Sequence, residues 1–416
     1  MGAAPLLPAA TASQEQPFAW ADFTWMNGQS KQRTFILPSS PHVQLSLYLD
    51  TYYAFSAQPP RDNTLVASAS IGRSNELQLN LASVGLEFNY GQVIGRLNLQ
   101  YGGMLGIVQD LDASVGRGRD LSAANLKYVR EATLGYHFDV LAGINLEAGI
   151  FMSYIGLESY LLAENWTYHR SIVCDHTPFY FQGIRGQIYL TPRLKLEPWL
   201  MNGWQSYGKF NSLPAVGMAM RYSPTGSFSL VGNFYFGQDT PTVSARLRFH
   251  HDHSLLWRAY QRADASGLST LAFSLNNHFG FETGGAGLPG MRRAHMLGTS
   301  LVGRAAFLRD LWALALRLEF MSNPSRYLAQ FPPPDLANRP GQDLNVYGLT
   351  ATASLMPRDF FELRAEVVYR RSSVPYFAGS AGTTSSTGLA PVASGAGLPA
   401  AVSRELLAIL SANFRL

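Results

Sequence analysis

Apolar and polar residues alternate along most of this chain. Ile144, Leu146, Ala148, Ile150, Met152 and Tyr154 share one parity; Asn145, Glu147, Gly149 and Ser153 share the other. A period of two sends successive side chains to opposite faces, so the run predicts a strand with one apolar and one mostly polar face. A polar and aromatic excursion, 155–179, follows. Alternation then resumes, with Ile184, Ile188 and Leu190 opposite Arg185, Gln187 and Tyr189. After a tight turn at Thr191-Pro192-Arg193, Leu194, Leu196 and Leu200 oppose Lys195 and Glu197.

The same rhythm of strand, short turn, strand and long connection recurs. It reads as strands over 43–55, 84–90, 93–101, 132–138, 216–222, 228–236, 243–249, 271–275, 297–307, 312–320, 345–356, 360–370 and 405–416. Gly91-Gln92 makes the tightest of the turns, of the length that sets hairpin register. Residues 251–267 keep no clean parity. Ser254–Tyr260 reads as a strand, a short helix or an interface segment and stays outside the count. His250, His251 and His253 read as a polar turn, because no partner stands at metal-ligand spacing. The total is about sixteen strands, with fourteen to eighteen compatible, and bacterial barrels take even numbers. The expected fold is therefore all-β: a transmembrane antiparallel meander β-barrel.

Composition changes the picture in three ways. A chain of 416 residues ordinarily suggests more than one domain, yet no linker interrupts the rhythm, and one closed sheet absorbs this length. Hydrophobic residues make up 47% and charged residues only 14%, against roughly 25% charged in soluble domains. No apolar run approaches the ~18 residues of a membrane-spanning helix. The net charge of +4 is too small and too dispersed to imply nucleic acid. Cys174 is the single cysteine, which excludes an intramolecular disulfide and any multi-cysteine metal site. Asp252, His253 and Ser254 are neighbours in sequence, which does not make a triad. No phosphate-binding loop opens a helix. No cofactor, no metal and no enzymatic activity are expected.

A soluble sandwich would not place aromatics so regularly near strand ends. Tyr53, Phe55, Tyr90, Tyr101, Tyr136, Phe138, Tyr154, Phe320, Tyr369 and Phe414 fit the interfacial girdles of a membrane barrel. Closure is then required, since an open edge in lipid leaves backbone groups unpaired. The opposite face carries the candidate pore-lining residues: Glu87, Arg96, Glu131, Glu147, Arg185, Lys195, Glu197, Arg246, Arg248, Arg317, Glu319, Arg364 and Glu366. Glu362, Arg370 and Arg415 share that face. A charge facing lipid at the midplane costs about 2–4 kcal/mol, so these residues point to a polar, mixed-charge lumen with a slight excess of cations. A narrow interior filled by cross-strand ion pairs is the alternative.

Several phrases carry a family likeness. Phe23-Thr-Trp-Met-Asn-Gly28, Leu49-Asp-Thr-Tyr-Tyr53, Gly149-Ile-Phe-Met-Ser-Tyr-Ile-Gly-Leu-Glu-Ser159, Glu164-Asn-Trp-Thr-Tyr168, Thr177-Pro-Phe-Tyr-Phe-Gln-Gly-Ile-Arg185 and Asn202-Gly-Trp-Gln-Ser206 resemble the β-barrel porin type 2, or OmpL-like, family. The resemblance covers nearly the whole chain and is densest over 140–207. It implies a porin-like barrel in the bacterial outer membrane, surrounded by that membrane's lipid, and brings no catalytic residues. The closing strand is similar to the terminal signal read by the barrel assembly machinery, with Leu416 where a final Phe is usual.

By analogy with porins, the third long loop folds inward. That makes Glu158, Glu164, His169, Arg170 and Asp175 candidate constriction residues, joined in the same loop by His176; an outer loop packed on its neighbours is the alternative. The domain reading is a signal-peptide remnant or disordered leader at 1–12, a periplasmic segment at 13–41 and the barrel at 42–416. Two functions follow: a channel for passive diffusion of small polar solutes or ions, or a structural or binding barrel closed by its loops that holds a partner or surface ligand.

Overall fold

The computed structural model describes residues 17–19, 34–109, 112, 114, 126–209, 211–240, 243–284, 294–328, 340–380 and 401–416. The proposed leader 1–12 lies outside them.

Sixteen strands form one closed antiparallel barrel in which every strand pairs with its sequence neighbours and the first pairs with the last. They are β1 Val43–Ser56, β2 Leu77–Tyr90, β3 Val93–Tyr101, β4 Val129–Phe138, β5 Ile144–Met152, β6 Tyr180–Thr191, β7 Leu194–Met201 and β8 Ala215–Thr225. The second half comprises β9 Phe228–Gly237, β10 Leu247–Gln261, β11 Leu268–Thr283, β12 His295–Phe307, β13 Trp312–Asn323, β14 Leu344–Arg358, β15 Phe361–Ser372 and β16 Arg404–Arg415. The seam is strong: Tyr48 faces Arg415 and Ser56 faces Leu407, and Leu47 and Leu416 exchange main-chain hydrogen bonds at 2.8 Å each way.

Alternation sets the two faces. On β13, Leu314, Leu316 and Leu318 are exposed outward, while Arg317 and Glu319 are buried inward. This is an apolar wall around a polar interior, the inverse of a soluble protein. Short turns gather at one end and long connections at the other. At Gly91 the φ is +59°, a conformation glycine adopts at no steric cost, which fits the β2–β3 turn. The described part of 13–41 meets the short-turn end. The Phe18 N–H donates to the Pro192 carbonyl at 2.7 Å, and the Thr34 N–H donates to Asp359 Oδ2 at 2.6 Å.

Three boundaries differ from the sequence reading. Residues 251–261 belong to β10, so the three histidines lie on a strand and not in a polar turn. His251 and His253 occupy outward positions that should be apolar, and this hid the alternation. The same strand starts at Leu247, which leaves Val243 and Ala245 before it. β2 begins at Leu77, well before Val84, because a register shift beside Asp50 pairs Asp50 with Leu81 and Thr51 with Leu79. That irregularity reverses the parity of Leu77 and Leu79 relative to Val84.

Candidate functional site

The interior is built on a loop. Residues 153–179 leave β5 and return to β6, and between those strands they run inside the barrel and touch the far wall. Tyr168, His169 and Ile172 are fully buried. A one-turn helix, Ile172–Asp175, is capped by the Ser171 hydroxyl, which accepts from the Cys174 N–H. Ile172 and Val173 pack with Ala67, Met296, Met321, Tyr327, Val346 and Phe377. The first, third, seventh and eighth long connections thus share one apolar core within the lumen. An inward glycine makes room for it: a Cβ on Gly298 would stand 2.0 Å from Val173 Cγ1.

Charged side chains of β13 and β15 hold the loop by its main chain. Arg317 Nη1 donates to Thr167 Oγ1 at 2.6 Å and to the His169 carbonyl, and Nη2 donates to the Arg170 carbonyl at 3.3 Å. Arg370 Nη2 donates to the Arg170 carbonyl at 2.9 Å. Arg364 donates to the carbonyls of Leu162, Ala163 and Asn165 at 2.8, 3.2 and 2.8 Å. Carboxylates take the amides. Glu366 accepts from Tyr168 and His169, and Glu319 accepts from Ile172. Glu319 also receives Arg370 at 2.7 Å. Breaking one member of such buried ionic sets typically costs ~3–5 kcal/mol, because a desolvated partner is left behind.

The candidate constriction residues divide. Glu158 accepts the Ser171 N–H and hydroxyl at 2.6 and 2.7 Å and meets Arg317 at 3.3 Å. Arg170 donates to the Cys174 carbonyl and lies over the Phe179 ring at 4.3 Å. Its Nε faces Asp175 at 3.9 Å. Burial pushes the Asp175 carboxyl up to about 6, against the pull of Arg170 and Arg370. Burial, with Arg370 and Arg317 beside it, holds His169 well below the usual imidazole range. Burial also pushes the Cys174 thiol up to about 12, so it is inert as a nucleophile. Glu164 sits lower, paired with Arg415 of β16.

The candidate pore-lining residues also fall into groups. Arg317, Glu319, Arg364 and Glu366 are occluded and grip the loop instead of facing open space. Arg246 and Arg248 pair with Glu282 at 2.6 and 2.7 Å. Glu87, Arg96 and Glu131 form one cluster, with Arg96 to Glu131 at 2.9 Å. Glu147, Arg185, Lys195 and Glu197 form another, with Lys195 to Glu197 at 2.7 Å. These last two clusters border a chamber of about 610 Å³ whose roof is the 152–161 segment of the loop. Its wall includes the Trp199 ring, over which Arg185 lies at 5.4 Å.

Sequence reasoning missed Asp252 and Glu282. Asp252, on β10, accepts the Gly156 N–H of the loop at 3.1 Å. Continued alternation beyond Leu275 would have found Glu282. Among the described residues, no cluster of His, Cys, Asp and Glu is arranged to hold a metal.

Comparison with solved structures gives the same architecture. The outer membrane channel DcaP of Acinetobacter baumannii is 12% identical, with 90% of this chain and 97% of that one covered and a TM-score of 0.54. The anion-selective porin from Comamonas acidovorans is 9% identical, with coverage of 90% and 99% and a TM-score of 0.56. OprB of Pseudomonas putida is 11% identical, with coverage of 90% and 94% and a TM-score of 0.53. At such identities the likeness is one of fold. No match was found among curated protein sequences. The family profile described as "Putative beta-barrel porin-2, OmpL-like" matches residues 42–395, nearly the whole barrel. With its sixteen closed strands, apolar outer wall and charged interior, the chain belongs to the OmpL-like β-barrel porin-2 family and is a porin-like channel of the bacterial outer membrane.

Proposed function

We propose that the channel passes small polar solutes or ions by passive diffusion, and that loop 153–179 is the element that closes it. One observation carries this reading. The loop fills the lumen through side-chain bonds to its main chain and forms no strand of the sheet. It can therefore leave without unpairing any ladder, and its departure joins the long-loop end to the mixed-charge chamber below. The described residues of segment 13–41 lie on the periplasmic side, a reading supported by the bonds of Phe18 and Thr34 to short turns. Strand β16 offers its apolar outer face to the assembly machinery.

Planar bilayers test the proposal. Wild-type protein should show rare or small conductance steps, and a variant with residues 157–176 replaced by a short Gly/Ser link should show larger, frequent ones. The occluded lumen also favours a second reading, a binding barrel that holds a partner. Fully inserted barrels that stay silent even without the loop, together with stable co-purification of another protein, would establish that reading instead.

A further inference from the structure

The outer wall carries two charges of one sign side by side. Arg371 is the penultimate residue of β15 and Arg404 opens β16, both at the long-loop end. They are ladder partners, and both are exposed on the outward parity of their strands. The Ser372 N–H donates to the Ser403 carbonyl at 2.9 Å. Ser372 and Ser403 are thus a hydrogen-bonded pair, and Arg371 and Arg404 are the adjoining pair without such bonds. Side chains stand closest at such positions, with Cα atoms ~4.5 Å apart. Like charges directly opposite each other are destabilising there. Inside the barrel the matching situation is relieved by carboxylates. One position earlier, inward-facing Arg370 meets Glu319 at 2.7 Å and Glu405 at 3.8 Å. Among the described residues, Arg371 and Arg404 meet no such partner.

The surroundings define the anion that would complete the pair. Tyr347 of β14 is the ladder partner of Arg371 on its other side, and its ring lies 4.9 Å from that of Phe320 on β13. The two arginines therefore continue an aromatic girdle, at the depth where hydrocarbon gives way to headgroups. The next outward row below them is Leu349, Tyr369 and Leu406, all exposed. A dissolved anion would use only the charges. A lipid with a phosphate in its headgroup would use the charges and the apolar row beneath them. Guanidinium groups suit this role, because their planar fork takes two oxygens of one phosphate. With short turns periplasmic, this end of the barrel lies in the outer leaflet.

We infer that Arg371 and Arg404 form a binding site for a phosphorylated lipid of the outer leaflet. Its phosphate bridges the two guanidinium groups, and its acyl chains lie along Leu349, Tyr369 and Leu406. The inference rests on the membrane location of the barrel and not on whether its lumen conducts.

Native mass spectrometry of the full-length protein in detergent, mixed with diphosphoryl lipid A, tests it. The wild-type barrel should retain bound lipid. Arg371→Gln with Arg404→Gln should lower the retained fraction about tenfold or more. That change removes a repulsion from the wall and leaves a foldable barrel, as heat-modifiable migration will report. Arg371→Lys with Arg404→Lys keeps the charges but loses the forks, and should lower retention about threefold or more. Arg309→Gln with Arg358→Gln, exposed at the short-turn end, should retain lipid as the wild type does. Inorganic phosphate in large excess should leave the bound lipid in place. Retention unaffected by the glutamine or lysine changes, equal loss in the short-turn control, or displacement by inorganic phosphate would each overturn the inference.

Discussion

Glu366 of β15 holds His169 by its main chain: the His169 N–H donates to Glu366 Oε1 at 2.8 Å, while Tyr168 fills Oε2 at 2.6 Å. The carboxylate thus serves two consecutive amides of a loop that enters from the other side of the barrel. Replacing it with alanine leaves both donors buried without an acceptor, at about 1–3 kcal/mol each. Glu366→Ala should raise hydrogen exchange over 165–172 and increase channel opening at least tenfold, with heat-modifiable folding of the barrel retained. Unchanged exchange and conductance would show that the loop does not depend on this carboxylate.

Gly298 gives the steric counterpart. A leucine there would occupy the space of Val173 Cγ1. Loop and wall cannot both keep their positions, and the hydrogen-bonded wall is the stiffer of the two. Gly298→Leu should therefore expel the loop and enlarge conductance, whereas Gly303→Leu, on an outward position of the same strand, should leave conductance unchanged. Equal behaviour of the two variants would contradict a seated loop.

The packed loop also holds its titratable groups away from their ordinary values. His169, facing Arg370, Arg317 and Arg170, is lowered below 6.5 by burial. His176, against Arg370 and Tyr376, is lowered as well. Their contribution to packing is present above about 6.5 and is lost as pH falls. Asp175, facing Arg170, Arg370 and Glu158, has the opposite sign. Raised from 3.8 to about 6, it favours the packed loop below 3.8, and that contribution is lost as pH rises through about 6. Between these limits release takes up two protons and gives up one. Opening should increase on acidification by up to about tenfold per pH unit, and more steeply in Asp175→Asn. Single-channel recording across this range checks both; a flat profile, or opening favoured by alkali, would contradict them.

Selectivity should reside in the chamber. Arg185 bonds to Glu147 and approaches Glu197 at 4.0 Å. Arg185→Glu would place a third carboxylate in that cluster, and charged rings set the ion preference of pores. Reversal potentials in a salt gradient should shift toward cations in this variant and stay unchanged in a Leu363→Ala control on the outer wall. No shift in Arg185→Glu would place the ion path elsewhere.

Much of the barrel is readable from parity alone, because a wall between lipid and a polar interior imposes opposite chemistry on adjacent residues. Leu314 to Glu319 displays this without ambiguity. The reading failed where another demand overrode the rule. His251 and His253 put polar groups outward, and the greater part of β10 was left outside the strand read over 243–249, along with Asp252. At Asp50 a register shift reversed the parity of β2. The loop carried a different kind of information. Its density of titratable and aromatic residues marked 155–179 as unusual, but which wall residue meets which loop amide depends on the curvature of sixteen strands. Arg317 and Thr167 are 150 positions apart, and no local pattern encodes their meeting.

The seam between β1 and β16 and the anchoring of the third loop together dictate an order of construction. Loop 153–179 is made early, yet its partners on β13, β15 and β16 are among the last residues synthesised. Main-chain groups of Tyr168 and Asn165 wait for side chains 198 and 199 residues downstream. Such distant contacts are slow to form, since chain entropy is lost before they return anything. The loop can take its final seat only once β13, β15 and β16 stand in the wall that grips it. A barrel lacking its last strands therefore has no complete seat for the loop, so the wall must be finished before the lumen is filled.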